Sequence, residues 1–371
     1  MSATPTLPLT KDLPYKGNFS SPENQYLYQT YYGQGVCIEM LFIPIIYFCF
    51  MLLSYVGNAM VLIATVKNKN LHGSYNFLLC MVCLGDMMHL STHWLYLGNM
   101  ASGHNFIPYR FCFYADAFFQ VGATLSILMT FFVGIDRLIG VWLPTIYRSL
   151  NLLLYDGFFM AVALAFSFLV FFLGLQHSWG EFGDEPVQCR IIDSYGGAAG
   201  QVWFQMCVIV NLLDIGVYSL VWLLLRRRAG QSGTMKKVFK SLVAMMISVV
   251  VGWLVQAFVK AILLPLANFP KSLAAIMVTV VVGWLLEGFV KAILLPLANF
   301  PISQWYYWES CTGILLNVAS ASNVFIMYGF SSEYRMTIQR LIGGKVPFIP
   351  PPDVSKTAFA TSKISTATNL I

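Results

Sequence analysis

The sequence predicts an all-α, polytopic membrane protein: a seven-transmembrane helix bundle with an apparent tandem duplication of helix 6. Three observations predict it. The 371 residues are 58% hydrophobic and only 10% charged, too few charges to cover a soluble protein of that size. Apolar runs of about 20 residues, enough to cross about 30 Å of hydrocarbon, recur along the chain. One of these runs is written twice without a spacer, at 240–270 and 271–301, and the copies agree at 24 of 31 positions.

Residues 1–36 read as an exposed N-terminal arm, polar and aromatic, with no signal-peptide pattern. The first span is therefore expected to act as its own signal. Residues 37–342 hold the bundle. Helix 1 is predicted over Leu41 to Val66 and ends at Lys67 and Lys69; helix 2 runs from Tyr75 to Gly98. Helix 3 covers Phe113 to Trp142 and stops before Pro144. Helix 4 covers Leu152 to Gln176, and an acidic loop with Glu181, Asp184, Glu185 and Asp193 follows. Helix 5 runs from Val202 to Leu225 and ends at Arg226, Arg227 and Arg228. The doubled segment comes next, then a last helix from Trp305 to Phe330. Residues 343–371 read as a disordered tail, polar and rich in Ser and Thr, with Pro350, Pro351 and Pro352.

Loop charge sets the orientation. Lys67, Lys69, Arg148, Arg226, Arg227, Arg228, Lys236, Lys237 and Lys240 crowd the short loops after helices 1, 3 and 5. The arm and the other two loops carry only Lys11, Lys16, Arg110 and Arg190. Basic loops stay in the cytoplasm, so the N-terminus is expected outside the cell, in the plasma membrane. Asn18 then opens an exposed N-x-S glycosylation site. Cys112, at the outer end of helix 3, and Cys189, in the acidic loop, fall on one oxidising side, where a disulfide is allowed and two free thiols are the alternative.

A charge in hydrocarbon costs at least about 2.5 kcal/mol, so polar groups inside the spans are candidates for function. Asn58, Asp86 and Ser126 lie mid-way along helices 1, 2 and 3, where they can form a polar core around a sodium ion or water, or a purely structural hydrogen-bond knot. Asp136-Arg137 lies 25 residues after Cys112, about 37 Å of helix and so at the opposite membrane face. A neighbouring acid can hold such an arginine until a partner protein offers a better contact; an arginine snorkelling at a helix end is the alternative.

Together these features resemble a rhodopsin-like G-protein-coupled receptor. Gly57-Asn58, Leu84-Gly85-Asp86, Cys112 with Cys189, Asp136-Arg137-Leu138, Pro144 with Tyr147, and Asn323, Tyr328 and Tyr334-Arg335 stand in that family's order and spacing. Within it, Gly134 to Leu138, Pro144 to Tyr147 and Ser332 to Arg335 are similar to nematode serpentine chemoreceptors of the srsx type. The chain departs from the pattern at Leu138, in place of the tyrosine of D-R-Y, and at Asn323 to Tyr328, which lacks the helix 7 proline.

The resemblance implies a Cys112–Cys189 disulfide, an activation latch of Asp136, Arg137, Tyr147 and Tyr328, and no resident cofactor beyond an allosteric sodium ion. It implies an external small-molecule or peptide ligand, a heterotrimeric G protein as partner, the lipid bilayer as surroundings and no nucleic acid. Candidates for the ligand pocket are Asp116, Gln120, Lys260, Lys291, Trp305 and Glu309, each also readable as an interfacial group. Two rivals are an eight-helix transporter or channel and a non-signalling receptor paralogue. The five histidines and few acids form no catalytic or metal pattern, so an enzyme is not expected.

Overall fold

A computed structural model describes residues 13–228 and 302–343. The duplicated helix 6, with Lys260 and Lys291, and the tail after residue 343 lie outside the described residues. In chain order the helices are α1 (Pro22–Tyr31), α2 (Ile38–Lys67), α3 (Ser74–Leu90), α4 (Thr92–Ala101), α5 (Tyr109–Trp142), α6 (Pro144–Ser149), α7 (Leu152–Ser178), α8 (Gly197–Arg228), α9 (Ile302–Ala321), α10 (Asn323–Phe330) and α11 (Ser332–Leu341). Among the described residues four helices are long and apolar enough to cross a membrane: α2, α5, α7 and the Gly197–Val221 part of α8. Large apolar side chains such as Phe42, Phe118, Phe158 and Phe168 point outward. In a bilayer that surface meets acyl chains rather than water.

The 34-residue α5 is the axis of the bundle, packed against α3, α7 and α8. It meets α3 at two glycines. A Cβ on Gly85 would lie 2.7 Å from the Ser126 backbone nitrogen, and one on Gly122 would lie 2.7 Å from that of His89. Small residues let the two backbones approach this closely, which is how helices bind each other in a solvent as apolar as their own side chains.

The second and last spans are each one helix in the sequence reading and two in the structure. The second breaks at Ser91, between α3 and α4. The Ser91 hydroxyl bonds back to the Met87 carbonyl at 2.7 Å and meets Tyr55 Oη at 2.6 Å, while its N–H is shared between the Met87 and Met88 carbonyls. Serine bonded back onto its own helix bends it. The last span breaks at Ser322, before Asn323, with no proline needed. There the Asn323 amide reaches across to Asp86 as well as back to the Ser320 carbonyl.

Residues 22–31 are not an open arm. Ser21 caps α1 by accepting from Glu23 N–H at 3.2 Å, and Pro22 takes the first helical position. Leu27 and Tyr28 are buried in a cluster with Met40, Tyr47, Tyr96, Phe106 and Tyr306. The apolar content of this cap is aromatic and spread over loop and helix, so it has no helical period to read. At the other end of the bundle, α11 lies under α2. Its Tyr334 is buried, with Oη 2.7 Å from Thr65 Oγ1.

Candidate functional site

The polar side chains of the bundle gather at three levels. At the cap end, Cys112 at the start of α5 is bonded to Cys189, with Cα atoms 5.4 Å apart. The loop carrying Cys189 is held further by the strand pair Ile107–Pro108 and Pro186–Val187. The residue after the disulfide, Arg190, is buried and carries an ion-pair cluster. Its guanidinium bonds both Asp193 oxygens, at 2.9 and 3.1 Å, and Glu23 of α1 at 3.2 Å. Asn24 Nδ2 donates to Glu185 Oε1 at 3.1 Å, a second tie between α1 and the loop. Burial pushes the Glu185 carboxyl above its ordinary range, against the hydrogen bonds of Ser20 and Asn24 that favour its charged form.

Beneath this cover a cavity of about 30 Å³ lies among Tyr47, His93, Tyr96, Arg190, Ser310 and Asn317. It has room for roughly one or two water molecules. His93 Nε2 donates to Asn317 Oδ1 at 2.6 Å, and the Tyr96 and Tyr306 hydroxyls meet at 2.9 Å.

The sequence candidates for a ligand pocket fall around this region. Asp116 is fully buried, accepts from Thr92 Oγ1 at 2.8 Å and lies 3.7 and 3.8 Å from the two disulfide sulfurs. The close grouping of Cys112, Asp116 and Cys189 is thus no thiolate metal site, because both sulfurs are bonded to each other. Gln120 donates to the Ser194 carbonyl at 3.2 Å. Gln120 thus ties the loop to α5, whereas the hydrogen bond of Asp116 ties α5 to α4. Trp305 and Glu309 are placed by their positions near the start of α9. Asn18 is exposed, just ahead of α1.

At mid-bundle the predicted polar core comes together. Asp86 Oδ1 accepts from Ser126 Oγ at 2.6 Å, and Oδ2 accepts from Asn323 Nδ2 at 2.7 Å. The same amide lies 3.2 Å from Asn58 Oδ1, and Asn58 Nδ2 donates to Ser54 Oγ at 2.8 Å. Helices α2, α3, α5 and α10 are knotted here. Sequence reasoning placed Asn58, Asp86 and Ser126 but passed over Asp214 in α8. Asp214 is 2% exposed, and its Oδ1 has no hydrogen-bond partner among the described residues. A lone acid in an apolar span is itself the signal that identifies it.

At the far end of α5, Arg137 bonds Asp136 Oδ2 through Nε at 3.2 Å and Nη2 at 2.9 Å. The other Asp136 oxygen accepts from Tyr147 Oη at 2.9 Å. Burial, then the Asp136 charge, push the Tyr147 phenol up, so it keeps its proton and donates. Tyr328 is bonded instead to α11: its hydroxyl accepts from Gln339 Nε2 at 3.1 Å and its carbonyl from Arg335 Nε at 3.0 Å.

A loop pinned by a disulfide at one end, an acid-held arginine at the other and a buried acid between them are the features on which the sequence resembles a multi-pass, serpentine receptor. The chain matches the family described as serpentine type 7TM GPCR chemoreceptor Srsx over residues 51–270 and 266–342, and it belongs to that family. The first matched piece ends where the first copy of the doubled segment ends. Curated relatives include trace amine-associated receptor 8 of Homo sapiens, 26% identical over 239 residues, which are 57% of this chain and 66% of that receptor. Trace amine-associated receptor 8b of Mus musculus is 24% identical over 242 residues, 57% of this chain and 65% of the relative. The chain therefore spans a little under two thirds of each of these relatives.

Proposed function

We propose that the chain is a chemosensory receptor of the plasma membrane, with its N-terminus outside, that binds an external small molecule or peptide and activates a heterotrimeric G protein through movement of helix 6. The observation that carries this reading is the Arg137 latch. Its side chain is about a quarter exposed and is held by Asp136, with Tyr147 on the other carboxylate oxygen. A docking partner that offers Arg137 better acceptors takes it from Asp136. The ligand acts by binding the open state more tightly than the closed one. The basic loops support the orientation, as do the disulfide, which needs an oxidising compartment, and the exposed Asn18 as a glycosylation site.

Among the described residues the cap and its loops carry Glu23, Glu39, Glu181, Asp184, Glu185 and Asp193 against Lys16, Arg110 and Arg190. This negative excess favours the approach of a cation. The relatives' names make trace amines the first ligand panel to try. Lys260, Lys291, Trp305 and Glu309 remain candidates to line the pocket, and the Ser and Thr of the tail are candidates for phosphorylation. A sodium ion fits the mid-bundle core by donor type: Asp86, Ser126 and Asn58 offer hard oxygens, and the ion would offset the carboxylate charge.

The test is ligand-dependent nucleotide exchange on a purified G protein in reconstituted membranes. Exchange that rises with ligand, and is lost in Arg137→Ala, supports the reading. Ion flux without G protein would favour the transporter or channel, and ligand binding without exchange would favour a non-signalling paralogue.

A further inference from the structure

The latch has a second hand. The central carbon of the Arg137 guanidinium lies over the ring of Tyr75, 3.9 Å from its centroid. Asp136 holds the guanidinium by its edge, through Nε and Nη2, and leaves its face to the ring. The ring is itself held. It packs against the core cluster of α3, α5, α7 and α8 and against the cluster under α2 and α11. Next to it, Ser74 Oγ donates to Asp156 Oδ1 of α7 at 2.5 Å, which ties the first turn of α3 to α7. A cation over an aromatic face is attracted by the ring quadrupole, and more strongly where water is thin.

We propose that Tyr75 is a positioning residue that holds Arg137 in the resting state through its ring face, and that this contact sets the receptor's basal activity. The inference rests on Arg137 being the coupling residue proposed above. Edge bonds to a carboxylate leave a planar group free to tilt about them, and a ring against its face removes that freedom. A partner must therefore draw Arg137 off two surfaces on different helices, Asp136 on α5 and Tyr75 on α3. The in-plane hold alone is local to α5, so Tyr75 is what makes the latch sense how α3 and α5 sit against each other.

Two measurements test this on the full-length receptor, with Tyr75→Phe keeping the ring and Tyr75→Leu removing it. The first needs no G protein: the rate at which phenylglyoxal modifies Arg137 in purified receptor, read by peptide mass spectrometry. Tyr75→Leu should raise that rate about fivefold, equivalent to about 1 kcal/mol at 1.4 kcal/mol per tenfold. Tyr75→Phe should leave it at the wild-type value. Equal rates in all three proteins, or equal rises in Phe and Leu, would overturn the proposal. The second is basal nucleotide exchange per surface receptor, with Asp136→Asn as control. Leu and Asp136→Asn should raise it while Phe does not. A response of Asp136→Asn without one of Leu overturns the proposed effect on basal activity. Silence of every variant together with a changed phenylglyoxal rate would leave the contact standing and count against G-protein coupling instead.

Discussion

Arg190 shows how one side chain joins distant parts of the chain. It follows the disulfide directly, takes both oxygens of Asp193 three residues on, and pairs with Glu23, 167 residues away. The two partners are not equivalent. Removing Arg190 takes the cation from two buried carboxylates at once, whereas removing the Glu23 charge leaves Arg190 paired with Asp193. Arg190→Met should therefore lower stability by about 3–5 kcal/mol, while Glu23→Gln should cost about 1 kcal/mol. Thermal unfolding of purified receptor compares the two, and equal losses would contradict this division. Glu185 adds a pH dependence. Burial raises its folded-state pKa above the ordinary 4.5, so the folded cap binds the proton more tightly than the unfolded chain does. Its contribution is greatest below the ordinary value and is lost as pH rises through the raised one. The Glu185 contribution to stability therefore grows on acidifying from neutral, and Glu185→Gln should shift the unfolding temperature downward relative to wild type more at about pH 5 than at about pH 7. None of this was legible in the sequence, where Arg190 reads as one stray cation in an acidic loop and Glu23 as part of an exposed arm.

The helices were legible because hydrocarbon demands long apolar runs and charges mark their ends. Their interruptions were not. Ser91 and Ser322 carry no proline or glycine signal, and each break depends on groups that only the fold brings close, such as Tyr55 beside Ser91. The Asp86 core was partly legible, since a carboxylate mid-span needs partners and Asn58 and Ser126 lie at matching depths. The crossing of α3 and α5 is a stricter case. Gly85 and Gly122 look like ordinary glycines in the sequence, yet a Cβ on Gly122 would sit 2.7 Å from His89 N and 2.9 Å from Gly85 O. Both are backbone atoms and cannot rotate away, so the helices must part. Gly122→Ala should destabilise the bundle by about 1–3 kcal/mol. Because α3 also carries Asp86, it should loosen the Ser126 contact with it. A fall in the unfolding temperature of Gly122→Ala larger than that of an outward alanine such as Gly216→Ala is the expected result; equal falls would mean the crossing tolerates the methyl.

For the whole molecule the doubled segment decides on which side of the membrane the chain ends. The two copies differ at Gln256 against Glu287 and Ala257 against Gly288, and each is long enough to span. An odd number of spans places the C-terminus opposite the N-terminus, and an even number places both on one side. Receptor function as proposed needs α11, with Tyr334 packed under α2, on the side of the Arg137 latch. That side is also where α2 ends at Lys67, with Lys69 just beyond it. One copy satisfies this and the family match divides at the same boundary, with pieces 51–270 and 266–342. Deleting residues 271–301 should give a chain that reaches the cell surface with an epitope after Ile371 protected until the cells are permeabilised. The undivided chain should keep the same protection if only one copy crosses, and should show the epitope on intact cells if both do. Protection in both chains supports one copy in the helix 6 position with the other displaced. An epitope exposed on intact cells in the undivided chain, together with ligand-driven nucleotide exchange by that chain, would rule out the seven-span receptor and its inward-facing α11.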